Sequence, residues 1–182
     1  MFARTPRLLL RPGFPEDAPA LAAAIADEAI VRNLAFVPWP YTLRDAEAFL
    51  ASPRDPVLPS FLIFERTDGA PQLLGSCGFH RRTSGSVEMG YWIARAFWGR
   101  GFATEACSAL IDIARALRLA CLEVGHFVDN PASGRVLEKL GFQPVGIIAP
   151  RMSCARGTEV PARLMQLRLT EVAPDTREAL AA

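Results

Sequence analysis

Residues Trp98-Gly99-Arg100-Gly101-Phe102-Ala103 follow a strand-like run, 87–93, and lead straight into a long segment of helical periodicity. Glycines at 99 and 101 let the chain turn tightly and approach a ligand closely. The first amides of the following helix have no partners inside it, and with the helix dipole they suit a phosphate or pyrophosphate. A plain strand-to-helix turn accounts for the same six residues, so the surroundings must decide. Asn130 precedes Pro131 at the start of another helical segment, where an Asn is fully explained as an N-cap. Ser133 lies three positions on, in the first turn beside that cap. Strand alternation puts Glu88, Gly90 and Trp92 on one sheet face and Met89, Tyr91 and Ile93 on the other. His80, at the end of the preceding strand-like run, could accept a proton near neutral pH, although a lone strand-end histidine is more often structural or solvated.

Several chemistries find no support. Cys77, Cys107, Cys121 and Cys154 lie far apart, with neither metal-ligand nor disulfide-framework spacing, so no metal is expected and the thiols read as reduced and mostly core. No Gly-x-Ser-x-Gly elbow and no supported cysteine–histidine pair suggests a covalent acyl-enzyme. A nucleotide-binding protein is disfavoured because there is no Gly-x4-Gly-Lys-Ser/Thr loop. With 20 basic and 19 acidic residues the formal charge is +1, which gives no general field for nucleic acid or an anionic membrane. The opening Met1-Phe2-Ala3-Arg4-Thr5-Pro6 is too short, and too soon followed by Arg11, to act as a signal sequence, and no apolar run approaches the ~18 residues of a spanning helix. A cytoplasmic protein is expected, and 182 residues suit one domain with one core.

The elements that must position these groups alternate between strand-like and helix-like, which favours an α/β or α+β domain. Residues 7–11 read as a strand ended by Pro12-Gly13, and Pro15-Glu16-Asp17 starts an Ala-rich helix. Thr42-Leu43-Arg44-Asp45 resembles a capping box opening a helix toward Leu50, and 52–59, with three prolines, reads as loop. Runs 60–66 and 72–80 form a hairpin about Thr67-Asp68-Gly69, and Thr83-Ser84-Gly85-Ser86 turns the chain into 87–93, so these strands form an antiparallel meander. Phe102, Ala106, Leu110, Ile113, Ala114 and Leu117 recur at helical spacing. A strand at 121–128, a helix at 131–140 stopped by Gly141, and strands at 142–148 and 162–169 complete the body, with 151–160 as a loop that lines an entrance or merely connects. The domain is expected to span 1–170, with 171–182 a tail that lacks apolar periodicity and frays.

Four blocks in this order resemble a known family: Glu88-Met89-Gly90-Tyr91-Trp92-Ile93; the glycine loop continued by Thr104-Glu105-Ala106; Asn130-Pro131-Ala132-Ser133; and Glu138-Lys139-Leu140-Gly141-Phe142. The chain is similar to the GNAT superfamily of CoA-dependent N-acetyltransferases, and within it to the branch containing the ribosomal-protein N-terminal (alanine/serine) acetyltransferases. The opening Thr5-Pro6-Arg7-Leu8-Leu9-Leu10-Arg11 shares that likeness, which runs over residues 5–170. In the family's Arg/Gln-x-x-Gly-x-Gly/Ala loop, Trp98 stands in the Arg/Gln place while Gly101 and Ala103 match.

The resemblance implies a single GNAT-like α/β (α+β) domain with a mixed, mostly antiparallel sheet of six to seven strands flanked by helices, its cofactor in a splay between central strands. It implies acetyl-CoA as co-substrate and no metal. The pyrophosphate would rest on the amides of Trp98, Gly99, Arg100, Gly101, Phe102 and Ala103, and Arg100 would add a charged contact. The pantetheine arm would pass Ile93 and Ala94, and Asn130 and Ser133 would touch the cofactor. Ser133 would assist the departing thiolate. Many members carry a tyrosine seven residues after the Asn; here Leu137 stands there, so Ser133, Tyr91 or water must serve. Glu88 is the preferred base, with His80 or water as alternatives. The stiff aromatic loop Phe36-Val37-Pro38-Trp39-Pro40-Tyr41 would wall the acceptor side, with Trp39, Tyr41 and His80 as substrate contacts, unless its aromatics simply close the core. The acceptor is a primary amine on a peptide N-terminus or a small molecule, and strand edges leave a homodimer open. A non-catalytic acyl-CoA sensor or partner-binding module is the alternative reading, favoured only by the absent tyrosine.

Overall fold

The computed structural model describes residues 1–170, and the expected tail, 171–182, lies outside the described residues. The strands are β1 (Ala3–Arg4), β2 (Leu8–Arg11), β3 (Ser60–Glu65), β4 (Gln72–Arg81), β5 (Val87–Ile93), β6 (Cys121–Phe127), β7 (Gln143–Ser153) and β8 (Thr158–Arg168). The helices are α1 (Ala18–Ile25), α2 (Glu28–Val31), α3 (Leu43–Ala51), α4 (Phe102–Ala116) and α5 (Pro131–Lys139). All strands join one open sheet in the order β1-β2-β3-β4-β5-β6-β8-β7. Only β5 and β6 pair in parallel, because α4 crosses over between them; every other pair is antiparallel.

Local chemistry sets the helix ends. Thr42 and Asp45 form the expected capping box, the Thr42 amide donating to Asp45 at 2.8 Å and the Asp45 amide to the Thr42 hydroxyl at 3.3 Å. Asp17 is buried and held by both arms of Arg11 at 2.7 Å, and it also accepts from the Phe14 amide at 2.8 Å. Burial raises the Asp17 carboxyl, and the guanidinium and amide outweigh it, so the group is held below the usual carboxylate range. Helix α4 buries Phe102, Ala106, Cys107, Leu110, Ile111 and Ala114 in the main core, against Leu74, Met89 and Leu122 of the sheet. A smaller cluster on the other face joins α1 and α3 to Leu62, Phe64 and Leu73.

The sheet has eight strands rather than six or seven, because Ala3 and Arg4 pair with Leu10 and Leu9 before the chain bends at Thr5-Pro6. The short α2 was hidden in the sequence; its cap is Asp27, which accepts from the Ala29 amide at 2.8 Å. Residues 151–160 are not a loop but the far end of a β7–β8 hairpin paired from Ile148↔Arg163 to Ser153↔Thr158. The turn is one short 3-10 stretch closed by Gly157 at φ 64°. Only Cys77 and Cys107 are core thiols; Cys121 is half-buried and Cys154 exposed. Burial pushes Cys77 up to about 12 and Cys107 well above its ordinary value, so neither is a thiolate at neutral pH. No helix among the described residues is long and apolar enough to cross a membrane.

Candidate active site

A gap opens where β5 and β6 part. Their one registered pair is Glu88↔Glu123, yet β5 runs on to Ile93 beside β4, and β6 to Phe127 beside β8. The Ala94 amide bonds Leu74 O at 2.7 Å and the Val128 amide bonds Pro161 O at 2.9 Å. Antiparallel alternation then turns the main-chain groups of Tyr91 and Ile93, and of Gly125 and Phe127, into the gap. The Ile93 carbonyl is taken by the Trp98 indole N–H at 2.6 Å. That bond ties the glycine loop to the strand end and gives the buried part of the indole the partner it needs.

Beyond Ile93, a 3-10 turn at Arg95–Phe97 leads into Gly99 at φ 75° and Gly101 at φ 80°, both in the left-handed region. The first helical bond runs from the Glu105 amide to Gly101 O at 3.1 Å, leaving the amides of Phe102, Ala103 and Thr104 without intrahelical partners. A side chain built on Gly99 would meet nothing within 4 Å, and one on Gly101 only Arg7 Nη2 at 3.6 Å, so both amide faces are open to a ligand. Glu105, in the first turn, is bound by the Thr5 hydroxyl at 2.5 Å, the Arg7 amide at 3.0 Å and the Arg7 guanidinium at 2.6 Å. Burial raises its carboxyl and those donors more than reverse the effect. Its charge is thus matched by Arg7, which lies over the Phe102 ring at 4.4 Å. Arg100 turns away to Glu65 at 3.3 Å and lies over Phe102 at 4.8 Å.

On the face covered by α4 and α5, Asn130 caps α5, its Oδ1 accepting from the Ser133 amide at 3.2 Å. The Ser133 hydroxyl is 2.7 Å from the Tyr91 hydroxyl. Burial is the main cause that pushes the Tyr91 phenol above its ordinary value, so it is neutral at physiological pH. The pair could not be read from the sequence, because Tyr91 and Ser133 meet only through the packing of β5 against α5.

On the opposite face Glu88 is 3% exposed. Arg151 Nη1 stands 2.5 Å from its Oε1, while Arg82 Nη1 at 3.1 Å and His80 Nε2 at 3.5 Å face Oε2. Burial raises this carboxyl, and His80 and Arg151 together hold it below the usual range, so it is ionised at neutral pH. Although cations are near, Oε2 receives no hydrogen bond of acceptable geometry. Arg151 comes from β7, and it reaches Glu88 over Gly125 of β6, where a Cβ would stand 2.7 Å from Nη1.

One cavity of about 700 Å³ joins these parts, passing from the glycine loop through the β5–β6 gap to the Glu88 face. Of the residues expected at a site, its lining includes His80, Glu88, Ile93, Trp98, Gly99, Gly101, Phe102, Ala103, Asn130 and Ser133. Ala94, Arg100, Trp39 and Tyr41 are not among them. Ala94 is buried with its amide spent on Leu74. Tyr41 packs between the two minor clusters beside Trp92, and burial raises its phenol to about 12. Trp39 is half-exposed outside the cavity; Phe36 and Val37 carry that loop's contribution instead. Arg151 belongs to the 151–160 segment expected to line an entrance or merely connect, and it does line the cavity, but no local pattern marks its contact with Glu88, nor Gly125 or Arg82.

The chain belongs to the acetyltransferase (GNAT) domain family, whose profile matches residues 7–143. YoaA of Bacillus subtilis (strain 168), an uncharacterized N-acetyltransferase, is 30% identical over 156 residues, covering 81% of this chain and 86% of its own. The GNAT-family acetyltransferase from Bacillus anthracis superposes with a TM-score of 0.79 at 20% identity, over 94% of this chain and 100% of that one. RimL, a ribosomal L7/L12 alpha-N-protein acetyltransferase solved with coenzyme A, gives 0.76 at 17% identity, over 93% and 98%. The fold and family are therefore those that the four sequence blocks implied.

Proposed function

We propose that this protein transfers an acetyl group from acetyl-CoA to a primary amine by direct attack. The carrying observation is a continuous cavity that leads from open helix-start amides, through unpaired strand edges, to a buried ionised carboxylate. RimL, of like fold, was solved with coenzyme A, which supports the same ligand here.

The donor set fits that ligand. Amides of Phe102, Ala103 and Thr104, with those around Gly99 and Gly101, would hold the pyrophosphate. The main-chain groups of Tyr91 and the amide of Ile93 would bond the pantetheine amides as an added strand would. When bound, acetyl-CoA supplies an activated carbonyl and a thiolate leaving group. Asn130 keeps its side-chain NH2 for the cofactor while its oxygen caps α5. The Ser133 hydroxyl would donate toward the sulfur, and the Tyr91 phenol would donate to Ser133 in turn. Glu88 would take the proton that the amine sheds, through water and at Oε2, the oxygen that receives no hydrogen bond from the protein.

The test is thiol release from acetyl-CoA over a panel of peptides and small amines. Glu88→Gln is expected to cut kcat by about a hundredfold while calorimetric CoA affinity stays within a factor of two. Tight CoA binding with no turnover on any amine would replace the enzyme by a sensor of acyl-CoA.

A further inference from the structure

Two arginines flank the carboxylate on the acceptor side of the cavity. Glu88 is faced by Arg151 and Arg82, and among the described residues it is the one carboxylate within 4.0 Å of either arginine. Just past the end of β6, Asp129 is gripped by Arg156 through Nη1 at 2.7 Å and Nη2 at 3.1 Å, with Arg32 at 3.6 Å. Arg156 is stacked over Phe127, which lines the cavity, at 5.0 Å, and its Nε donates to Arg32 O at 2.8 Å. Of these four guanidiniums Arg151 is the one that lines the cavity, and Arg82 meets the cavity through Glu88. The flanking Asp27–Arg95 pair is balanced, and Glu123 is turned to the Ser86 hydroxyl at 2.8 Å.

We infer that the amine acceptor carries a carboxylate and that Arg82 and Arg151 are the residues that select for it; the inference rests on the acetyltransfer reading above. A guanidinium presents several donors in a fixed fork, and Arg151 engages Glu88 through Nη1 while lying 5.9 Å above the Phe36 ring. The other donors can meet an anion on the acceptor while Glu88 keeps its place. The same guanidiniums disfavour an acceptor that is cationic throughout, such as a polyamine, because Glu88 has its charge already matched. Phe36 lies under Arg151, and Ile30, Leu34 and Val37 line the same cavity, so the acceptor is expected to have an apolar part besides its carboxylate.

The experiment compares matched acceptors with acetyl-CoA at saturating concentration. One arm uses leucine against leucinamide; the other uses Ala-Asp-Glu amide against Ala-Asn-Gln amide. A preference of at least about tenfold in kcat/KM for the carboxylate member, shrinking as salt is raised to 0.5 M, supports the inference. The arm in which it occurs shows whether the carboxylate belongs to a free amino acid or to an acidic peptide. Arg82→Gln, and separately Arg151→Gln, should each lower the acid-to-amide ratio severalfold, while a merely structural role would lower both rates together and leave the ratio alone. Equal use of acid and amide, a preference for amides or polyamines, or an unchanged ratio in both variants overturns the inference and leaves acetyl transfer standing. Absence of turnover on every amine, with acetyl-CoA bound, overturns acetyl transfer itself.

Discussion

Gly125→Ala tests the long reach of Arg151 without touching either charged residue. The new Cβ would stand 2.7 Å from Arg151 Nη1 and an ordinary 3.4 Å from Leu164, so the guanidinium tip must move and little else need do so. Moving it opens the 2.5 Å contact with Glu88, which is almost fully buried. Deleting one partner of a buried ion pair typically costs about 3–5 kcal/mol. Here Arg82 stays at 3.1 Å and Arg151 is displaced rather than lost, so about 2 kcal/mol is a reasonable share. Alanine returns about 0.5 kcal/mol by restricting the unfolded chain. The net expectation is destabilisation by about 1–2 kcal/mol at pH 7. Because Glu88 has a folded pKa depressed below its unfolded value, its contribution is present above about pH 4.5 and is lost as pH falls through the folded value. The difference between the two proteins must therefore shrink below pH 4.5, and it should reverse slightly once Glu88 is protonated in both. Urea denaturation at steps from pH 7 to pH 3 reads this directly. A penalty that is the same at every pH would mean that the alanine acts through backbone or steric strain, and the clasp as described would be wrong.

The remaining expectations concern the cofactor side. Gly101→Val should weaken CoA binding at least tenfold by calorimetry, since it closes the open amide face, while the left-handed φ of 80° costs folding only about 1–2 kcal/mol; unchanged affinity would remove the loop from the binding site. Trp98→Phe keeps a ring but leaves the Ile93 carbonyl without its donor, and a stability loss of about 1 kcal/mol with weaker CoA binding is expected. Ser133→Ala and Tyr91→Phe should each lower kcat by about tenfold with CoA affinity little changed. Combined, they should lower it hardly further, as two members of one hydrogen-bonded chain do; fully additive losses would show that they act separately.

What could be read from the chain, and what could not, follows how each end of the cavity is built. The cofactor side depends on main-chain groups whose positions are set by neighbours in sequence. Gly99 and Gly101 permit the turn, the helix start supplies the amides, and Pro131 after Asn130 marks a cap. Such features are local, and the pattern shows them. Even there, side chains misled: Arg100 turns away to Glu65, and the function of Trp98 lies in an indole bond five residues back. The eight-stranded count escaped because a two-residue strand has no period to detect.

The acceptor side depends instead on residues brought together by the order of strands. Arg151 reaches Glu88 from the sheet's far edge, over β8 and β6, and it can do so only because β6 has a glycine at the crossing. No spacing in the chain encodes that meeting, since it needs the β7–β8 hairpin to extend to Ser153, and a loop at 151–160 would have left the arginine in solvent. The same hairpin brings Arg156 onto Phe127 and Asp129. Lengthening one hairpin therefore both creates the clasp on Glu88 and brings the Arg151 guanidinium into the cavity lining. Changes in this hairpin should alter which amine is accepted while leaving the glycine loop between β5 and α4, the proposed cofactor site, as it is.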